Sequence, residues 1–202
     1  MYNRDCIEIV EHARASPQGF YDVLEFTLCT INMPLSRVIP QREDIKVNGL
    51  ESKWLSSTKA SGIYYGQTQK DVLHDVTFNI KAKYGSGLAG SYRAVNHLIQ
   101  IPSIGMVKAG FIAQMCGFNV ACLDRHNVRE FGLNERVLKL SKSLKPALKL
   151  KKCKTYTQLC QKKGAEFYWD YWCNFVADRG GMNKTLDTGD KVSRYHVDAI
   201  KM

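Results

Sequence analysis

No stretch of the chain approaches the roughly 18 consecutive apolar residues that a membrane-spanning helix needs, so no membrane role is expected. The segment Met1-Tyr2-Asn3-Arg4-Asp5-Cys6 lacks the basic and then apolar layout of a signal peptide. The expectation is an intracellular, cytoplasmic protein. No Cys-x-x-Cys pair occurs among the seven cysteines, and their number is odd. That disfavours a zinc ribbon and a compact disulfide framework, leaving reduced thiols that serve as small core residues. His12, His74, His97 and His196 are scattered without metal-ligand spacing, so neither a metal nor another cofactor is expected. Internal repeats, low-complexity tracts and the period-two alternation of β-strands are missing as well. What remains is a mainly α protein with room for one substantial core in its 202 residues.

Positive charge is present in excess. Lysine and arginine number 29 against 19 acidic residues, a formal charge of +10. Total charge alone fits a plain basic surface as well as a polyanionic partner, so its distribution carries more weight. From Lys139 to Lys163 there are nine lysines and no Asp or Glu. Such a run favours phosphate, because each phosphate it neutralises releases condensed counterions. Lys142, Lys145 and Lys149 are the candidate DNA-contacting residues of this run. A membrane-surface helix is the competing reading, but Leu140, Leu144, Leu148 and Leu150 look sufficient only for core packing, and no aromatic wedge accompanies them.

Along the chain, Ser16-Pro17-Gln18-Gly19 predicts a helix start, with Ser16 as cap and Pro17 at the first position. Phe20, Val23, Leu24, Leu28 and Ile31 follow at helical spacing, and Pro34 or Pro40 ends the segment. Residues 40–70, with Asn48-Gly49 and Ser61-Gly62 as turn signals, read as a long loop carrying one short helix around Trp54. A helix over 70–84 would bury Val72, Leu73, Val76 and Ile80, and Gly85-Ser86-Gly87 would break it. Further helices are expected over 88–99, 106–115, 127–131, 135–144 and 156–176, with a short terminal element at 192–200. The 156–176 helix holds six aromatic residues between Phe167 and Phe175, more than one core face needs. Some of them can line a cleft and stack a base, while Trp172 and Phe175 read as core.

Chemistry concentrates between residues 101 and 130. Two helices joined by Ile101-Pro102-Ser103-Ile104-Gly105 form a hairpin whose second helix opens with unpaired backbone N–H groups. Such a helix start binds phosphate through those donors and the positive end of its dipole, without reading sequence. Asp124 follows Gly105 by 19 residues, with Leu123 before it and Arg125-His126-Asn127-Val128-Arg129 after it. By itself Asp124 reads as a cap for the helix it precedes. His126 beside it reads first as a packed or surface histidine and second as a general base.

This segment resembles the helix-hairpin-helix DNA glycosylase superfamily, typified by endonuclease III and the adenine glycosylase. Those proteins carry Leu-Pro-Gly-hydrophobic-Gly in the hairpin, then a helix, then a hydrophobic-Asp run ending in a basic residue. The resemblance covers residues 101–130 closely and implies a single helical domain over 1–202, with a cleft between helical lobes. Within it the hairpin motif spans 91–116, and a basic and aromatic helical part spans 134–202. It also implies a double-stranded DNA partner held by Pro102, Ser103, Gly105, Val107, Lys108, Arg125 and His126. Asp124 would be the catalytic carboxylate, stabilising the oxocarbenium-like sugar as a flipped base leaves. Lys108 stands as a candidate in two roles, catalytic and phosphate-binding.

Three features depart from the family's pattern. Bifunctional members place a Schiff-base lysine where Val107 stands here. Lys108 lies one residue on, about 100° around a helix, which argues against lyase chemistry. The four closely spaced cysteines that hold an iron–sulfur cluster are not matched by Cys153, Cys160 and Cys173, so no cluster is expected. Ser103 stands where the family has glycine. The small size and missing cluster resemble compact bacteriophage members. Relatives there attach amino compounds to pyrimidines, so base modification is the alternative to base removal, and a non-catalytic DNA-binding module is a third reading.

Overall fold

In a computed structural model, residues 4–134, 136, 138–141, 143–179 and 189–202 are described, with backbone only at 125, 175–179 and 189–191. Every regular element among them is helical. The α-helices are α1 (Arg4–Ala15), α2 (Pro17–Cys29), α3 (Val38–Asn48), α4 (Ser57–Tyr84), α5 (Leu88–Leu98), α6 (Met106–Met115), α7 (Arg125–Glu130), α8 (Pro146–Gln161), α9 (Ala165–Arg179) and α10 (Gly189–Lys201). None of these is long and apolar enough to cross a membrane. Buried side chains from Cys6 in α1 to Ile200 in α10 join in one core.

The centre of that core is α2. Ser16 caps it by accepting the Gly19 amide at 3.0 Å, with Pro17 in the first turn, where no intrahelical donor is lost. Its burial continues around the circumference: Phe20, Val23, Leu24, Phe26 and Leu28 are fully buried, and Tyr21 and Glu25 nearly so. Helices α1, α3, α4, α6 and α10 all pack on it. A helix apolar all round belongs in the interior. Glu25 is tolerated there because the buried Arg42 of α3 meets its Oε2 at 2.8 Å. The same guanidinium donates to the carbonyls of Ala199 and Ile200 at the end of α10, tying the C-terminal helix to α2 and α3.

The loop expected over 40–70 is mostly helix. Helix α3 runs through Pro40, which lies in its first turn, where the missing N–H has no intrahelical acceptor to lose. Helix α4 starts at Ser57 and continues through the Ser61-Gly62 pair that reads as a turn in sequence. A Cβ on Gly62 would lie 2.7 Å from the Pro102 carbonyl oxygen, and one on Gly66 would lie 2.5 Å from Leu24 Cδ2. These glycines let α4 approach α2 and the hairpin closely. They also set its rotation. The buried strip is Gly62, Gly66, Leu73 and Thr77, so Val72 and Val76, expected in the core, are 57% and 36% exposed.

Further corrections fall in the C-terminal half. No α-helix occurs among the described residues of 135–144, and α8 begins only at Pro146. The single helix expected over 156–176 is two, broken where Gly164 takes φ 90° and Asn119 Oδ1 accepts the Ala165 amide at 3.0 Å. Leu148 and Leu150 are exposed and pack no core. Phe175 has no described side chain, so its expected place in the core lies outside the description. The terminal element is the 13-residue α10, with Val192, Val197, Ala199 and Ile200 fully buried. All seven thiols are free, and six of them are buried.

Candidate functional site

Helices α5 and α6 form the hairpin. Its turn is closed by Ile101 N to Leu98 O and Ile104 N to Ile101 O, both 3.1 Å, while the side chains of Ile101 and Ile104 are buried. Ser103 between them takes φ 69°, the left-handed conformation that glycine adopts most easily. Its hydroxyl donates to the Thr58 carbonyl of α4, which offsets part of that strain. Gly105 precedes α6 in extended conformation, with open space around it and no side-chain cap on the helix. The first amides of α6 therefore have no side-chain acceptor.

One face of α6 presents Lys108, Phe111 and Gln114 at intervals of three residues to a cavity of about 850 Å³. Lys108 Nζ donates to Thr30 Oγ1 at 2.9 Å, beyond the end of α2. The chain then turns at Gly117, φ 78°, and runs without regular secondary structure through residues 120–123 to Asp124. Tyr156 of α8 fixes that run: its hydroxyl donates to the Ala121 carbonyl at 2.5 Å and accepts from the Leu123 amide at 3.2 Å. Gly110 makes room for the phenol, since a Cβ there would sit 2.5 Å from Tyr156 Oη.

Asp124 caps α7, as an aspartate in that position does. Its Oδ1 accepts the amides of His126 and Asn127, each at 3.0 Å. The second oxygen is committed elsewhere: Oδ2 accepts the indole N–H of Trp172 at 2.9 Å. Trp172 packs half-buried against the core, as the sequence suggests, and its indole N–H is also bound to the carboxylate. Asp124 also lines the cavity, so cap and candidate site residue are one group with its orientation fixed from two sides.

The remaining wall is aromatic: Phe26, Phe111, Tyr168, Trp169 and Trp172 all line the cavity. His196 of α10 sits among them, with ring centroids 5.4 Å from Phe26, 5.1 Å from Trp169 and 5.4 Å from Trp172. Burial pushes its pKa down to about 4, and the charge of Lys108 acts in the same direction. The segment after α2 closes the cavity, and there Asn32 takes φ 55°. Asn32 and Ser103 are the two non-glycine residues with positive φ among the described residues, and both line this one cavity. Backbone strain of that kind concentrates at binding sites.

The structure brings together Asp124, Lys108, Ser103 and His126 from the sequence-derived set. Pro102, Gly105 and Val107 lie in the hairpin without lining the cavity, and Arg125 opens α7 through its backbone. Lys142 lies outside the described residues. Lys145 and Lys149 stand at the start of α8, away from the cavity wall. Lys152 of the same run ties down the preceding segment by donating to the carbonyls of Arg136 and Lys139, at 3.3 and 2.6 Å. Sequence reasoning missed His196, Gln114 and residues 30–35, which reach the cavity only through tertiary packing. Among the described residues no group of three or more His, Cys, Asp or Glu is disposed to hold a metal. Comparison of the chain with protein-family models, with curated proteins and with solved structures gives no match.

Proposed function

We propose that this protein binds DNA through the α5–α6 hairpin and acts on a flipped base in the cavity. Hydrolysis of the N-glycosidic bond is the reaction we favour. The observation that carries this reading is the convergence of Asp124, Lys108 and Ser103 on one aromatic-walled cavity of about 850 Å³. A base must leave the stack before its glycosidic bond can be reached, and aromatic walls favour its planar faces. Cavities of several hundred Å³ are the usual size for small-ligand sites. As the C1′–N bond breaks, its electron pair leaves with the base and positive charge spreads over the sugar. Asp124, held in place by two amides and the Trp172 indole, would stabilise that charge and orient a water onto C1′. The unpaired amides at the start of α6 and the ammonium of Lys108 suit the flanking phosphate.

Asp124→Asn keeps an acceptor for the α7 cap and removes the charge. Incubated with duplexes bearing damaged or modified bases, the wild type should release free base, detected by mass spectrometry. The variant should release none while binding the duplex about as well. Comparable release by the variant would sink the assignment. A mass gain on the nucleoside, in place of free base, would mark the cavity as one that modifies bases.

A further inference from the structure

From Val76 to Leu123 the chain holds no Asp or Glu, and none falls from Arg136 to Ala165. Helices α5 and α8 lie wholly inside these stretches and pack against each other. Two neighbouring helices without a carboxylate leave their cations uncompensated from within. The charge gathers most closely where α4 gives way to α5. There the guanidinium carbon of Arg93 lies 4.1 Å from the ring centroid of Tyr84 and 4.6 Å from that of Tyr92. Lys83 Nζ lies 5.4 Å from the same Tyr84 centroid. Arg93 donates from Nη1 to the Ala89 carbonyl at 2.8 Å, and no carboxylate is among the described partners of either cation. Tyr84 is 38% exposed, and Lys83 is exposed beside it.

Two positive groups drawn to one ring repel each other, and the ring quadrupole offsets only part of that. A guanidinium held against two rings has already lost rotamer freedom, so little more is lost when its free donors meet an oxyanion. Of its five N–H donors the Ala89 carbonyl engages one. Tyr84 meets two cations and Tyr92 one, so the patch offers charge more than open ring and suits phosphate over a stacked base. We propose that Lys83 and Arg93, set against Tyr84 and Tyr92, grip the phosphodiester backbone of duplex DNA at a second place beside the hairpin. Arg93 stands five residues before the end of α5, about 8 Å along the helix axis from the hairpin turn. Duplex DNA carries one negative charge per roughly 1.7 Å of its axis, so a strand held at the start of α6 brings further phosphates within that reach. Contacts of this kind hold the duplex in place without reading its sequence. The surface rests on the reading that DNA is the partner, and it uses no residue of the cavity.

The test follows binding of the full chain to an undamaged duplex by fluorescence anisotropy, between about 50 and 200 mM salt. Lys83→Gln and Arg93→Gln should each lower the slope of log K against log salt by about 0.9, and the double variant by about 1.8. Arg93→Lys keeps the charge and should keep the wild-type slope. Lys83→Gln removes an exposed charge and leaves the Arg93 stack, so it should melt at the wild-type temperature while still losing its share of the slope. An unchanged slope in Lys83→Gln and in the double variant would overturn the inference and make the stack a fastening between α4 and α5. The hairpin reading would then stand without this surface. Absence of duplex binding by the wild type would overturn both.

Discussion

His196 makes the stability of the protein depend on pH in a calculable way. Its ring is enclosed by Phe26, Trp169 and Trp172, and burial pushes its pKa down to about 4 from an ordinary value of 6.5. In the unfolded chain the imidazole takes up a proton as pH falls below about 6.5, whereas the folded ring stays neutral until about 4. The unfolded state then binds more protons, so stability falls with pH across that window and levels off below it. At pH 5 the loss from this residue is about 2 kcal/mol, rising to about 3 kcal/mol below pH 4. Urea unfolding of the wild type and of His196→Asn at pH 7.5 and 5.0 measures it. Asparagine can still donate to the Val192 carbonyl but carries no proton that titrates. The variant should be less stable at pH 7.5 because it leaves a gap among the rings. Between the two pH values, however, it should lose about 2 kcal/mol less than the wild type, roughly 1 M urea at a typical slope. Carboxylates titrate in both proteins and cancel in the difference. Equal losses would refute the neutral, enclosed state of His196.

Replacing Lys145, Lys149 and Lys151 together by glutamine should weaken binding to duplexes of every sequence and flatten the salt dependence, by up to about 3 in the slope of log K against log salt. An unchanged slope would make the start of α8 a solvated face. Gly110→Ala should destabilise by about 1–3 kcal/mol, because the new Cβ would lie 2.5 Å from Tyr156 Oη and 2.6 Å from the Ala121 carbonyl oxygen. Thermal melting would detect it, and a neutral result would contradict the close approach of α6 to the run leading to Asp124. Arg42→Met should cost about 3–5 kcal/mol by leaving Glu25 buried without its partner. Combining it with Glu25→Gln should recover part of that loss.

Local chemistry made several elements legible in the sequence. Ser16-Pro17 starts α2, Gly85 stops α4, and the bounds of α5 and α6 follow from apolar spacing around the Pro-Ser-Ile-Gly turn. Each of these is decided by neighbours within a few residues, as caps, glycines and helical period are. The placement of Asp124 at the head of α7 is of the same kind.

What sequence did not decide was which face of a helix turns inward and what lies opposite it. In α4 the strip of Gly62, Gly66 and Leu73 faces inward and Val72 and Val76 do not, because the two glycines leave no Cβ to hold α4 off Leu24, Leu28 and the Pro102 carbonyl. Gly62 looks like a turn until Pro102, 40 residues away, is known to press on it. Asp124 and Trp172 are 48 residues apart, and His196 lies 88 residues past Lys108. Periodicity reports only one element at a time, so the joining of these residues in one cavity was settled by how α2, α6, α9 and α10 pack.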